Sequence, residues 1–556
     1  MPTANDAFTT NECSKWRPFA DNFARTEPYA DATSNLHEPY ADATSNLHEL
    51  NPMPRFPTFH LLTRNGQTPL QYAERVGSIV VGAALAASVA LILTGCSTEV
   101  LKPSVDLPSN FSTSTASEME PEAAWWEVYH DPLLTDLVRR AARENRDVKM
   151  AAERLRAARA GETVSQSWLF PSVGASASGS DRSTGFNSAT KQGYPDTKTT
   201  SVGLDVSWEL DLSGRLRAGA AAADADALAA EHNMRGVRLL VMSDVVSNYF
   251  TLVGAQRQVA TLRAISAMQD ETLRLVTARQ QVGLASAFDV ERAQTDALSA
   301  RAQIPPLETQ VAVARHRIAV LIADQSFNTR NIQPSTGDLT DVPEARPGQP
   351  AELLQRRPDV LALMAQLDAA NARRQQAAAE WFPQLFLGAS FGRQGLSLNG
   401  ADLGAARFTN VAGLLAMPLF NAGRTQAIND AAQSAQKEAV LRAEDGIVRA
   451  LEDVENALVT LAQERRRAGS LQLAAASAEA AQNRAQSLYN RGQIDLLPLL
   501  DSQRARLAAR LNSNESNTRL LIDSVQLYKA LGGGWQVFEH PVTPTAANKA
   551  DQPPLS

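Results

Sequence analysis

The chain is short of the residues that most often carry chemistry. Of its 556 residues two are cysteines, Cys13 and Cys96, and seven are histidines. Two cysteines cannot make a disulfide framework, and no C-x-x-C is present. Beyond Cys96 the histidines are His130, His232, His316 and His540, spaced too widely for a metal site. There is no P-loop, no G-x-S-x-G and no H-E-x-x-H. An enzyme is therefore not expected, nor a cofactor or metal. An excess of basic residues is missing too. A net charge of −7 and a pI of 5.7 argue against nucleic acid as the main partner. Aromatics make up 6% while alanine is plentiful, which suits long, thinly packed helices better than a thick globular core.

One long apolar run stands out, V-G-S-I-V-V-G-A-A-L-A-A-S-V-A-L-I-L-T-G-C-S-T over 76–98, with Arg75 before it. It ends in Leu93-Thr94-Gly95-Cys96, which resembles a bacterial lipobox. In that motif small residues fit the signal peptidase and the Cys thiol takes a diacylglyceryl group. The other reading is a membrane-spanning helix, for which 18 residues is the edge of sufficient length. Lipidation of Cys96 is expected, with Ser97 in place of the Asp that retains lipoproteins in the inner membrane. Upstream, E-P-Y-A-D-A-T-S-N-L-H occurs at 27–37 and again at 38–48. So long a leader does not suit a signal peptide. Translation is expected to start at Met53 or nearer Arg75, which makes 1–75 a non-native or disordered extension.

The remainder repeats itself. Leu155-x-Ala157-Ala158 and Phe170-Pro171 recur 212 residues later as Leu367-x-Ala369-Ala370 and Phe382-Pro383. Gly214-Arg215, Asp244-Val245, Thr251-Leu252 and Gly283 recur 209 later as Gly423-Arg424, Asp453-Val454, Thr460-Leu461 and Gly492. A constant offset across so many landmarks marks two copies of one unit. The organisation expected is a signal peptide over 76–95, a lipid-anchored segment over 96–132, repeats over 133–343 and 344–535, and a flexible Pro-rich tail over 536–556.

Each repeat reads as helix, two strands, a very long helix and another helix. The first helices are expected over 133–168 and 357–381, and the strands over 171–180, 200–212, 384–393 and 406–419. Pro-free helical stretches run from Gly214 to Gly283 and from Gly423 to Gly492, roughly 100 Å each at 1.5 Å per residue. Last come helices over 287–323, bent near Pro305-Pro306, and over 496–531. Asp453 and Glu455 on one long helix read as a solvated face. In V-G-L-D-V-S-W-E-L-D-L (202–212) every second residue is apolar, and Asp205, Glu209 and Asp211 fall on the other face. Strands of about 10 residues cross a tilted bilayer. Four cannot close a barrel, and an open edge is not tolerated in lipid, so closure demands several chains; three copies give twelve strands. The fold class expected is mainly α with a small β part: a long helical barrel plus a transmembrane β-barrel built by a homotrimer.

The stretches W-W-E-V-Y-H-D-P-L-L (125–134), S-W-E-L-D-L-S-G-R-L-R (207–217), P-G-Q-P-A-E-L-L-Q-R-R-P-D-V (347–360), A-E-W-F-P-Q-L (379–385), M-P-L-F-N-A-G-R (417–424) and L-L-D-S-Q (499–503) resemble the TolC-like outer membrane efflux family. The resemblance is to its lipoprotein branch, the NodT-type factors of RND pumps. It implies a trimeric passive duct in the outer membrane that docks with a periplasmic adaptor and an inner-membrane RND-type pump to export small toxic compounds. Type I secretion, metal-cation efflux, or a lipid-anchored scaffold without a pore are the competing readings. After Arg357-Pro358-Asp359 the family usually has an Ala-Glu pair where this chain has Leu363-Met364.

The resemblance also implies a periplasmic gate. Leu497 and Asp501 match positions that build constricting rings, and at i and i+4 they share a helix face. A helix-surface pair or cap is the other reading of Asp501. Pro498 sits where some relatives carry a second Asp. Asp289 and Tyr489 match a pair in which a Tyr hydroxyl bonds an Asp to hold the tip shut. A second family link uses an Arg two residues after the Gly; here Ile494 stands there and Arg491 precedes Gly492. Asp205, Glu209 and Asp211 are expected to line water in the barrel, or, for Asp211, to sit at its periplasmic rim.

Overall fold

The computed structural model describes residues 98–112, 124–329, 342 and 348–539. Cys96, the extension over 1–75, the signal peptide and the tail from residue 540 lie outside the described residues.

Asp131 opens the first helix. Its carboxylate accepts from the backbone N–H groups of Leu133 and Leu134, and Pro132 fills the first helical position, where an N–H is not needed. This helix, α1 (Pro132–Glu144), stops at Asn145, and α2 (Arg146–Ser167) begins there. The single helix expected over 133–168 is thus two. The Asn145 amide oxygen caps α2 by accepting from Asp147 and Val148, and its Nδ2 donates to the carbonyl of Leu321 at 2.9 Å. Asn competes with its own backbone inside a helix and is favoured at such a cap.

Strands β1 (Ser172–Arg182) and β2 (Thr197–Leu210) follow, then α3 (Arg215–Gln281), α4 (Ala287–Ala302) and α5 (Ile304–Leu321). Gln303 parts α4 from α5, just before Pro305-Pro306. The second repeat supplies α6 (Pro358–Ala379), β3 (Gln384–Leu398), β4 (Ala401–Ala416), α7 (Arg424–Asn490) and α8 (Leu496–Ala530). Both 67-residue helices lie between glycines at positive φ: Gly214 (78°) and Gly283 (78°), Gly423 (85°) and Gly492 (74°). A residue with a Cβ is strained there, so these glycines fix where the helices begin and end.

The four strands form one antiparallel sheet in the order β1-β2-β3-β4. The stretch G-L-S-L-N-G-A-D-L, between the strands expected over 384–393 and 406–419, is mostly strand. Asn399 (φ 48°) and Gly400 (φ 85°) make a two-residue turn between β3 and β4. Positive φ at both central residues matches the right-handed twist of the flanking strands, and Asn-Gly is the sequence that adopts it most readily.

The main core sits halfway along α3. Tyr249, Phe250, Leu252 and Val253 pack there with Trp125, Trp126, Leu134, Ile318, Val525 and Tyr528. The Trp125 ring stacks on Tyr528 at 5.3 Å and donates to the carbonyl of Gly533, so the first and last described helical segments are joined at this level. Among the described residues α3 is the one helix long and apolar enough to cross a membrane; 56% of its apolar stretch is buried inside the protein, so that apolarity serves the core.

Candidate channel and tip gate

The sheet has two distinct faces. Leu204, Val206, Trp208 and Leu210 of β2 stand opposite Phe391, Ala389, Leu387 and Leu385 of β3, forming an apolar face. It is open in the single chain: Val202 is 64% exposed and Val411 78%. Water does not tolerate so large an apolar patch without a partner or lipid over it. The opposite face is polar over β1 and β2 and carries Phe386, Phe408 and Leu414 on β3 and β4. Ser172 and Ser207 hydroxyls lie 2.7 Å apart, as do those of Ser178 and Ser201, and Ser176 donates to the Asp205 carboxylate at 2.6 Å. Phe408 lies over the Gly203–Gly392 pair on this same side, where a Cβ on Gly392 would come within 2.6 Å of the Gly203 backbone. Two glycines are needed there because strand backbones and an aromatic ring approach so closely. Among the described residues β1 pairs only with β2 and β4 only with β3, so both outer strands leave a full edge of backbone donors and acceptors unpaired there.

The three carboxylates at and just beyond the end of β2 have different partners. Asp205 lies within the polar face. Glu209 is closed into a two-point ion pair with Arg215 at 2.7 and 2.8 Å, both side chains less than one-fifth exposed. Asp211 lies just beyond β2, at the rim, and accepts from the backbone N–H groups of Leu216 and Arg217, capping the start of α3. Glu209 and Asp211 therefore join sheet to helix, a task that alternation alone does not reveal.

At the far end of the long helices Val276, Tyr489, Leu496, Leu499 and Leu500 form a small separate core. Leu497 (44% exposed) and Asp501 lie on the opposite, exposed side of α8. Asp501 pairs with Arg504 at 3.1 Å, and Arg504 also reaches Asp296 of α4 at 2.9 Å. The bond between Asp289 and Tyr489 is not made. Asp289 instead closes a reciprocal cap with Ser286: it accepts from the Ser286 N–H and hydroxyl at 3.0 and 2.8 Å, and its own N–H donates back to the hydroxyl. A partner three residues away costs little entropy to reach and wins over one on another helix. The Tyr489 ring is buried under the Arg279 guanidinium, 4.4 Å from its centroid. Sequence inspection missed Arg279, Asp296 and Arg504, which connect helices far apart in the chain. Arg491 is exposed beside Arg484, Ser487 and Leu488. Pro498 falls in the first turn of α8 as expected.

Midway along α7, Asp453 and Glu455 are not a merely solvated face. Asp453 takes Arg357 at 2.9 Å, and Glu455 accepts from the Ser112 backbone. Arg357 is buried, donates to the carbonyls of Ala450 and Ala530 and also holds Asp359. Leu363 lies against Gly446, where a Cβ would meet it at 2.3 Å. The segment 98–112 is a strap along α6 and α7: Leu101 exchanges two hydrogen bonds with Asn371, the Glu99 carbonyl accepts from Gln436, and the Ser104 N–H donates to Glu444.

An open-edged sheet with one apolar and one wet face, set at the end of paired helices of 67 residues, defines an outer membrane efflux channel subunit. The chain belongs to the outer membrane efflux protein family, whose model matches residues 137–324 and 350–533. It is the outer membrane channel component of an efflux system. It is similar to the cation efflux system protein CusC of Escherichia coli O6:H1, 29% identical over 81% of this chain and 98% of that one. The pyoverdine export outer membrane protein OpmQ of Pseudomonas aeruginosa is 32% identical over 74% of this chain and 87% of its own length. The solved open state of the Neisseria gonorrhoeae MtrE outer membrane channel superposes with a TM-score of 0.71 at 25% identity, covering 79% of this chain and 98% of that one.

Proposed function

We propose that three copies of this chain close a twelve-stranded barrel in the outer membrane and continue it as a helical tube into the periplasm. The tube receives small toxic compounds from an inner-membrane RND-type pump through a periplasmic adaptor and conducts them passively to the exterior. The carrying observation is the sheet, whose apolar face asks for lipid while two unpaired edges forbid it as a lone chain. Pairing β4 of one copy with β1 of the next removes every edge. The polar face with its serines and Asp205 then lines the lumen, and Leu497 and Asp501 ring the periplasmic mouth. Cys96 carries the lipid anchor. It lies three residues before Glu99, a reach of at most about 11 Å, and Glu99 is held at Gln436, about 20 Å down α7 from the sheet end. This short reach supports a lipid anchor on Cys96 near the base of the barrel.

Purified protein should run as a trimer by native mass spectrometry and give stable conductance steps in planar bilayers. A monomer, or a trimer without conductance, rules the duct out and leaves the scaffold. Blocking Cys96 as C96S should abolish incorporation of labelled fatty acid. A metal-cation cargo is the second reading, supported by the likeness to CusC. The likeness to OpmQ at comparable identity supports a duct whose cargo is chosen by the pump.

A further inference from the structure

The apolar face of the sheet ends at a charged row. Val202 of β2, Arg393 of β3 and Arg407 of β4 stand side by side on it, with the two arginines directly opposite each other. Both are exposed. Like charges directly across a ladder repel, so such a row is unfavourable unless an anion joins it. Among the described residues neither guanidinium has a carboxylate partner. Of the acids that share this face, Asp181 stands opposite Lys198 farther along the strands, and Asp402 accepts from the Gly404 N–H at 2.8 Å.

The level of the row matters. From Leu385, at the helix end of β3, to Arg393 is eight residues, about 27 Å along the strand and about 20 Å in height once the strand tilts by roughly 40°. The rows between them are apolar but for Thr409 opposite Phe391, and Trp208, Trp168 and Trp381 lie at the helix end, where interfacial aromatics belong. The arginine backbones therefore stand about 20 Å from the helix end of the sheet, a few ångströms short of the top of an apolar band about 25 Å tall, and their long side chains span the remaining distance to the outer-leaflet headgroups. Past them the same face carries Thr200, Gly395 and Ala405, small residues that leave room.

Resting on the barrel reading above, we propose that Arg393 and Arg407 bind the phosphate of a phosphorylated glycolipid of the outer leaflet. Two planar guanidinium forks on adjacent strands suit a phosphate ester, whose oxygens accept from both at once and relieve their repulsion.

The test uses the purified full chain in detergent, with bisphosphorylated lipid A, its dephosphorylated form and inorganic phosphate as probes in native mass spectrometry. The protein should bind lipid A about tenfold tighter than the dephosphorylated form, and R393Q/R407Q should bring that ratio to about one. An unchanged ratio overturns the proposal, as does competition by inorganic phosphate at micromolar level, which would mark a free-phosphate site. A lower trimer melting temperature of R393Q/R407Q in lipid-free detergent also overturns it, since the pair would then serve subunit contact. In phosphatidylcholine bilayers the double variant should keep both conductance and ion selectivity. Altered selectivity puts the arginines in the lumen and ends the proposal while the channel stands. Absence of conductance in the unaltered protein is instead a failure of the channel reading itself.

Discussion

α3 and α7 have the same length, the same glycine ends and related sequences, yet they are buried differently. α3 buries 26 of its 67 residues and α7 buries 13. α3 runs between α2, α5, α6 and α8, whereas α7 is flanked by α6 and α8. Its buried positions form a narrow seam: Val454, Leu461, Ala468, Ala475, Gln482 and Tyr489 recur every seven residues. A period of 3.5 keeps a seam facing its partner only if the helices wind around each other to the left. The rest of α7 exposes Leu441, Val448 and Leu473. Duplication thus produced one helix completed within the chain and one that awaits neighbouring copies.

The same divergence shows at smaller scale. Asn145 and Arg357 are repeat equivalents, and so are the carbonyls they hold, those of Leu321 and Ala530. One contact has been kept while an amide became a guanidinium that also gathers two aspartates. At the tip the Ser286–Asp289 cap is replaced by Asp495 and Pro498, and exposed Phe288 and half-buried Arg292 by Leu497 and Asp501.

Repeat-equivalent substitutions can break this contrast. Phe250→Ala should destabilise by about 3–5 kcal/mol, while its counterpart Val459→Ala should change the stability of the chain by under about 0.5 kcal/mol and act on trimer assembly instead. Equal shifts in denaturant midpoint for the two would show that α3 and α7 are not buried differently. Arg357→Ala should cost about 2–3 kcal/mol by taking one donor from each of two carbonyls and two carboxylates, against about 1–2 for Asn145→Ala. The reverse order in thermal melts would contradict the role given to Arg357. At the tip, Arg504→Ala removes the link from α8 to α4 for under about 1 kcal/mol, since Arg504 is 45% exposed. Single-channel conductance should rise, whereas Tyr489→Phe should leave it unchanged because the buried ring is what packs; a rise in Tyr489→Phe alone would restore the hydroxyl gate.

The smallest effect concerns acid. Hydrogen bonds from Ser326 and then Arg140 hold the Asp324 carboxyl down to about 2. A carboxyl with a lowered folded pKa stabilises fully above its unfolded value, near 4, and the benefit disappears as pH falls through about 2. The second repeat carries Gly533 at the equivalent position and gains nothing there. Protection from hydrogen exchange at the α1–α5 junction, relative to the intrinsic rate at each pH, should fall from pH 4 to pH 2, and Asp324→Asn should show that looseness already at pH 6. Uniform loss of protection in both repeats would refute a local clamp.

Periodicity and repetition exposed the long helices within two residues at each end, because glycine punctuation and the absence of proline are local signals. The four strands were legible for the same reason, and Asn399-Gly400 carried a turn signal that strands expected to end at 393 and begin at 406 passed over. Asn145 was hidden because an interior Asn looks harmless until a distant carbonyl needs its amide. The tip was least legible. Asp289 has the sequence position of a gate residue, but its choice between Ser286 and Tyr489 is decided by local geometry. Arg504 has partners in two helices, and only one of them is near in sequence.

The four left-handed glycines have a consequence for how such a molecule can change over time. They cut α3 and α7 to one common length, as the staves of a cask are cut. A longer tube cannot come from lengthening one stave, which would tilt the mouth. Nor can it come from arbitrary insertions, which would rotate the seam of α7 away from α8. Length can change only in steps of seven residues, made twice, once in each repeat.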